Sequence, residues 1–225
     1  MKIAVIGIGK TGSEVVKLLP KEQLSGAYDV DNPVTITELK KANAVISFVP
    51  GAAVAEVLPI VMAAGVPAVW GSTGFTWPKD LDEKLKEYKT KWVIAANFSL
   101  SMNLIRHWLA KLSQAKQLLD NPQFTIHETH HVQKKDTPSG TALSWQKWLN
   151  LDCNIESHRE GDIKGIHELI LKTPDETISL KHEVHNRALF AKGAIWAAKF
   201  LMNHDLADGL YDFSQLVDLS LMEES

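Results

Sequence analysis

The residues densest in chemistry run from His127 to Leu143, HETHHVQKKDTPSGTAL. Three histidines, a glutamate, two adjacent lysines and an aspartate lead into the small-residue turn Pro138-Ser139-Gly140-Thr141. Cations and proton carriers placed just before a helix start are the pattern of a site for a small anion. The unpaired N–H groups of a helix start carry partial positive charge, so Ser139, Gly140 and Thr141 can hold a carboxylate. Lys134 and Lys135 add full charge, and His130 or His131 supplies an imidazole, the side chain suited to moving protons near neutral pH. The competing reading is a solvated basic loop ahead of an ordinary helix cap.

The same run satisfies H-E-x-x-H at His127-Glu128-Thr129-His130-His131. A zinc hydrolase needs that motif on a helix, where residues four apart share a face. Here the preceding residues alternate as in a strand, with Phe124, Ile126, Glu128 and His130 on one face and Thr125, His127, Thr129 and His131 on the other. In a strand His127 and His131 stand about 13 Å apart, too far to share an ion. No metal is therefore expected. His158, His167, His182 and His185 read as surface or hydrogen-bonded residues, Cys153 lacks an activating neighbourhood, and no serine sits in a nucleophile elbow.

The elements that must position these groups follow from periodicity. Residues 2–6 (KIAVI) are apolar and β-branched, as in a strand buried on both faces. They lead into Gly7-Ile8-Gly9-Lys10-Thr11-Gly12, a G-x-G-x-x-G, then a helical pattern over 13–19 stopped by Pro20. A second apolar stretch, 24–28, ends at Asp29, 22 residues after Gly7, where an acid meets a ribose 2′-hydroxyl in dinucleotide sites. Asp31 is the rival for that contact. Val30, Asp31 and Asn32 offer no base for a 2′-phosphate, so NADH is expected to be preferred, with NADPH as the alternative. Strands over 44–49, 67–70 and 92–96 and helices over 52–64 and 81–88 continue the alternation. Gly71-Ser72-Thr73-Gly74-Phe75 and Asn97-Phe98-Ser99 fall at strand carboxyl ends, where open α/β sheets bind ligands.

After a helix over 101–119 the pattern changes. Strands over 123–132, 165–172 and 176–185 cluster instead of alternating with helices, apart from one helix over 139–149. The expectation is an α/β chain with an N-terminal doubly wound parallel sheet over 1–97. A smaller α+β domain with a mixed sheet covers 98–186. The segment 187–225, with a helix over 187–202, returns to the first domain.

Composition sets the outer limits. The 225 residues are 45% hydrophobic and 23% charged with net charge −3, a balance that favours neither nucleic acid nor a charged tail. One cysteine allows no internal disulfide, no run is long enough to span a bilayer, and residues 2–6 are too short for a signal peptide, so a cytoplasmic protein is expected.

With these residues in place, the chain resembles the dihydrodipicolinate reductase family, now called 4-hydroxy-tetrahydrodipicolinate reductase. The signature is Glu128-x-His130-His131-x-x-Lys134-x-Asp136-x-Pro138-Ser139-Gly140-Thr141-Ala142. The opening glycines, Gly71-Ser72-Thr73-Gly74-Phe75, Ala95-Ala96-Asn97-Phe98-Ser99, Arg159-Glu160-Gly161, His167, Glu176, His182 and Arg187-x-x-Phe190-Ala191-x-Gly193-Ala194 follow in family order. The resemblance implies an NAD(P)H-dependent oxidoreductase of diaminopimelate and lysine biosynthesis, reducing a cyclic C7 dicarboxylate. His130 would donate or accept the proton, Lys134 would be the catalytic cation and second proton source, and His131 would contact substrate. Ser139, Gly140 and Thr141 would bind a substrate carboxylate. Gly7, Ile8, Gly9, Lys10, Thr11, Gly12, Asp29, Gly71, Ser72, Thr73, Ala95, Ala96, Asn97 and Phe98 would contact the nucleotide. The family also implies that the second domain, 98–186, binds substrate and carries the oligomer contacts of a homotetramer built through its sheets, and the two-domain layout suits a hinge near Phe98 and Arg187. Gln133, Lys135 and Ser101 depart from the pattern, the last replacing a glycine. A dinucleotide-binding redox sensor is the rival function, but it has no need of His130, Lys134 and an anion site together.

Overall fold

Every residue of the first strand, β1 (Ile3–Ile6), is buried, as a strand covered on both faces requires. The computed structural model describes residues 1–223 and separates them into two units, Met1–Leu100 with the segment from Arg187 onward, and Ser101–Asn186. After β1, Gly7 adopts φ +83°, and a Cβ there would come within 2.8 Å of the Phe48 and Val49 backbone. Gly12 opens α1 (Gly12–Leu18) so near the turn that a Cβ would meet the Gly7 carbonyl oxygen at 1.9 Å. Gly9 between them faces open space. The first and third glycines shape the turn, and the second leaves room for a ligand.

The chain then alternates through β2 (Leu24–Tyr28), α2 (Ile36–Leu39), β3 (Ala44–Ser47), α3 (Gly51–Ala64), β4 (Ala68–Trp70), α4 (Leu81–Glu87) and β5 (Lys91–Ile94). The second unit follows with α5 (Leu100–Ala115), β6 (Gln123–His130), α6 (Gly140–Leu149), β7 (Asn154–Arg159), β8 (Ile166–Lys172) and β9 (Thr177–Glu183). The last segment adds α7 (Ala188–Asn203), β10 (Gly209–Asp212) and α8 (Phe213–Glu223) to the first unit.

In the first unit six strands in the order β10-β5-β4-β3-β1-β2 are all parallel. Val5, Ile46 and Val93 face one core with Val15 of α1, the alanines of α7 and Phe213 of α8. Val45, Trp70 and Trp92 face the other with Val54 and Val61 of α3 and Leu85 of α4. The sheet is thus wound on both sides, and its turns after β1, β2, β4 and β5 emerge at one edge.

In the second unit the order is β7-β6-β8-β9. β6 runs parallel to β7 and antiparallel to β8, which is antiparallel to β9, so the sheet is mixed. Met102, Ile105 and Leu109 of α5 and Trp145 and Leu149 of α6 pack on Ile126 and Leu169 of the sheet. Several elements end earlier than periodicity predicts. β3 stops at Ser47 and β6 at His130, and the helix expected to Leu119 gives way after Ala115 to a tighter turn, Lys116–Leu118. β7 carries the polar sequence NIESHR and gave no apolar signal, because it is an edge strand with only alternate residues half-buried.

Candidate active site

β6 delivers Glu128 and His130 to the covered face of its sheet, both buried, while His127 and Thr129 point the other way. This alternation puts H-E-x-x-H on a strand rather than a helix. Glu128 is fully buried, and its Oε1 lies 3.0 Å from Nη1 of Arg159 and accepts a 3.3 Å hydrogen bond from the Ser139 amide. Its Oε2 contacts Nδ1 of His130. One carboxylate therefore orients the histidine, the cap of α6 and an arginine from the neighbouring strand.

Arg159 also fastens the loop between β6 and α6. Its Nη2 donates to the Asp136 carbonyl at 2.6 Å and the Thr137 hydroxyl at 3.0 Å, and Nε to the Lys134 carbonyl at 3.4 Å. Within that loop the Lys134 amide donates to the His131 carbonyl at 3.1 Å, and His131 is tied by its own amide to the Ile163 carbonyl at 2.7 Å. The Lys134 ammonium donates to both Asp136 oxygens, at 2.8 and 2.9 Å. An internal anion thus engages the lysine, one of the groups expected to receive a substrate carboxylate.

Ser139 is the N-cap of α6, its hydroxyl accepting from the Ala142 amide at 3.2 Å. The hydroxyl also lies 3.1 Å from Nε2 of His167, which stands opposite Glu128 on β8. With its amide on Glu128 as well, Ser139 is buried and committed to internal partners, while Gly140 is exposed and Thr141 half-buried. His167 packs edge-on against His130, centroids 5.0 Å apart, and against Trp145. His182 is its partner on β9, and the Ser101 hydroxyl lies 3.4 Å from the His182 Nε2, so the residue that departs from the family glycine joins this polar row.

Burial raises the Glu128 carboxyl, but Ser157, Arg159 and His130 outweigh it and hold the group below the usual carboxylate range. Burial pushes His130 below its ordinary value. The Glu128 charge pulls it back, and Lys134 and Arg159 push it down further. Burial, then the neighbouring His130, bring His167 down to about 3. An ionised Glu128 facing Nδ1 fixes the neutral His130 tautomer with its proton there, leaving Nε2 to exchange protons. Gly165 lies beside that nitrogen, and a Cβ there would stand 3.1 Å from Nε2.

In the first unit a cavity of about 650 Å³ is lined by Gly7, Ile8, Gly9, Asp29, Val30 and Phe48, among others. Its size and glycine edge fit part of a dinucleotide. Asp29 is fixed by accepting from the Asp31 and Asn32 amides, both at 3.0 Å, and Asp31 is not among the lining residues. Gly71, Ser72 and Thr73 follow β4, with the Gly71 amide on the Ser47 carbonyl at 2.8 Å. Ala95, Ala96 and Asn97 follow β5, with the Ala95 amide on the Trp70 carbonyl at 3.0 Å. Phe98 is a core residue whose ring packs at a tilt on Phe213, centroids 4.9 Å apart, so its side chain is not open to a ligand. Lys10, Thr11 and Gly12 lie in the turn and first residue of α1.

Sequence reasoning gave Arg159 and His167 no role, although both stand in the family pattern. Their signal was register: Arg159 pairs with His130 across β6 and β7, and His167 with Glu128 across β6 and β8. Neither pairing is visible without the sheet order.

A family described as dihydrodipicolinate reductase, N-terminus, matches residues 1–98, and its C-terminal counterpart matches residues 102–217. Among curated relatives, the 4-hydroxy-tetrahydrodipicolinate reductase of Alkaliphilus oremlandii is 31% identical over 97% of this chain and 99% of its own length. That of Methanosarcina acetivorans is 28% identical over 96% of this chain and 89% of its own. A solved dipicolinate-bound dihydrodipicolinate reductase from a Paenisporosarcina species shares the fold, with TM-score 0.71 and 18% identity, covering 94% of this chain and 97% of that one.

Proposed function

Because the chain belongs to the dihydrodipicolinate reductase family, we propose that it reduces 4-hydroxy-tetrahydrodipicolinate to tetrahydrodipicolinate with NAD(P)H, in diaminopimelate and lysine biosynthesis. The observation that carries the reading on this chain's own residues is the Glu128–His130 contact, buttressed by Arg159 at the mouth of a loop bearing Lys134. When bound, the dinucleotide supplies a hydride to the conjugated imine left after water loss from the ring.

His130, held by Glu128 through Nδ1, takes up a proton from solvent at Nε2 and, as the imidazolium, passes that proton to the ring, returning to the neutral form. Lys134 stabilises the electron density that develops on the ring and serves as second proton source. Gly140 and Thr141 hold one ring carboxylate through their amides and His131 contacts the ring, while Ser139 shapes the helix start from behind. Gly7 to Gly12, Asp29, Gly71 to Thr73 and Ala95 to Phe98 hold the nucleotide. The orientation of Asp29 beside the cavity, with no base in Val30-Asp31-Asn32, supports a preference for NADH over NADPH. Dinucleotide binding belongs in this reading to the first unit, substrate binding to the second, and the protein works as a cytoplasmic homotetramer. Among the described residues no helix is long and apolar enough to cross a membrane.

The test is a coupled assay with freshly generated 4-hydroxy-tetrahydrodipicolinate, following NADH and NADPH oxidation separately. Substrate-dependent oxidation, faster with NADH, is expected. Protein that binds NADH yet oxidises neither cofactor with substrate present would instead act as a dinucleotide sensor.

A further inference from the structure

On β6 the face opposite Glu128 and His130 carries Thr125, His127 and Thr129. Parallel pairing with β7 sets Glu156 beside His127 and His158 beside Thr129. The His127 Nδ1 lies 3.3 Å from the Glu156 Oε2, and the other Glu156 oxygen accepts from Asn154 at 3.2 Å. The His127 and His158 rings are 7° from parallel with centroids 6.4 Å apart. One donor atom from each of the three residues lies within 4.8 Å of the other two. On the far side of His127, β8 places Glu168 directly across the ladder, where it accepts from the Ser179 hydroxyl.

We propose that His127, Glu156 and His158 form a binding site for a divalent transition ion of the zinc class. Two imidazoles and a carboxylate are a donor set that zinc accepts, with water completing a tetrahedron. Donors of such a site, about 2.0–2.2 Å from the ion, stand roughly 3.3 Å apart. The His127–Glu156 pair already has that spacing, and His158 offers a ring nitrogen within 4.8 Å of both. Magnesium and calcium take oxygen donors, so the imidazole pair selects against both. Asn154 orients the carboxylate as an outer partner, and Glu168 adds negative charge on the far side of His127. A plain cross-strand ion pair would account for His127 and Glu156, but not for a second imidazole aligned with the first on the same face.

The ion clips β7 to β6 on the face that does not carry His130. It is a fastening for the edge strand that supplies Arg159, not a participant in hydride transfer. The site stands whether or not the reductase reading does.

Chelator-treated full-length protein, titrated with zinc chloride against a chromophoric competitor in excess magnesium, is expected to take up one equivalent per chain. His127→Ala and His158→Ala should each weaken binding at least tenfold, and His185→Ala should not. Zinc should raise the melting temperature of the parent and leave that of His158→Ala unchanged. If either alanine variant misfolds, His127→Gln and His158→Gln carry the same comparison with less loss of volume. Uptake that survives these substitutions, or falls well below one per chain, means an adventitious ion only. Uptake lost in His167→Gln and retained in His127→Ala places the ion in the buried Glu128–His130–His167 group and overturns the proposal.

Discussion

Arg159 and Glu128 form an ion pair across neighbouring strands, 3.0 Å from Nη1 to Oε1, with the carboxylate fully buried. Arg159 is in register with His130 and Glu128 with Ser157, so the pair is diagonal on the ladder. That diagonal lets one guanidinium reach both the carboxylate behind His130 and the carbonyls of the loop that presents Lys134.

Replacing the carboxylate should separate positioning from chemistry. Glu128→Gln is expected to lower turnover about 10–100-fold, the range for a lost outer-shell partner, with NADH binding nearly intact. Because Glu128 raises the His130 pKa, the limb of the pH–rate profile belonging to His130 should move to lower pH. Near-normal turnover with an unmoved profile, measured by steady-state kinetics across pH, would remove Glu128 from the mechanism.

Asp136 presents the opposite problem, an anion where the substrate's carboxylate is proposed to bind. Asp136→Asn frees the Lys134 ammonium, so KM should fall roughly 1.5–5-fold, in line with losing an exposed ion pair. Binding of dipicolinate, followed by calorimetry, should tighten by a similar factor. A higher KM with a lower kcat would show that Asp136 places Lys134 instead of competing for it.

Acid should weaken the second unit through its buried imidazoles. His167 titrates at about 3 in the folded chain and near 6.5 when unfolded, so only the unfolded chain takes up its proton in between. Stability is therefore full above pH 6.5 and declines as pH falls toward 3, with about 2 kcal/mol lost by pH 5 from this group. Burial depresses His130 and His182 in the same direction. Urea unfolding from pH 7 to 5 should show this slope, and His167→Gln should flatten it. An unchanged slope in the variant would assign the acid sensitivity elsewhere.

Cofactor choice rests on one side chain. Asp29→Ala should weaken NADH binding, read by fluorescence titration, much more than NADPH binding. Equal losses would move the ribose contact to another residue, Asp31 being the first to try.

Much of this was legible beforehand because local and global preferences agree. The G-x-G-x-x-G turn after a buried strand, the two-sided hydrophobicity of β3 and β4, and Ser139 as a cap are all short-range signals. What the sequence could not display was pairing. The polar β7 carries no strand signal because an edge strand needs little apolar surface, and without it Arg159 has no visible partner. His167 looked like one histidine among several until the antiparallel register set it against Glu128. Ser139 was expected to turn its amide toward substrate. The structure turns it toward Glu128, because a buried carboxylate must gather every donor within reach.

The parallel pairing of β6 with β7 also bears on when the protein becomes competent during synthesis. A nascent chain that has emerged only through α6 already contains His130, Lys134 and the helix cap. It lacks the guanidinium and the imidazole that hold Glu128 and Ser139, since these come from β7 and β8. The loop is written early and fastened late, so a chain cut short before β8 retains the signature residues without the arrangement that gives them a use.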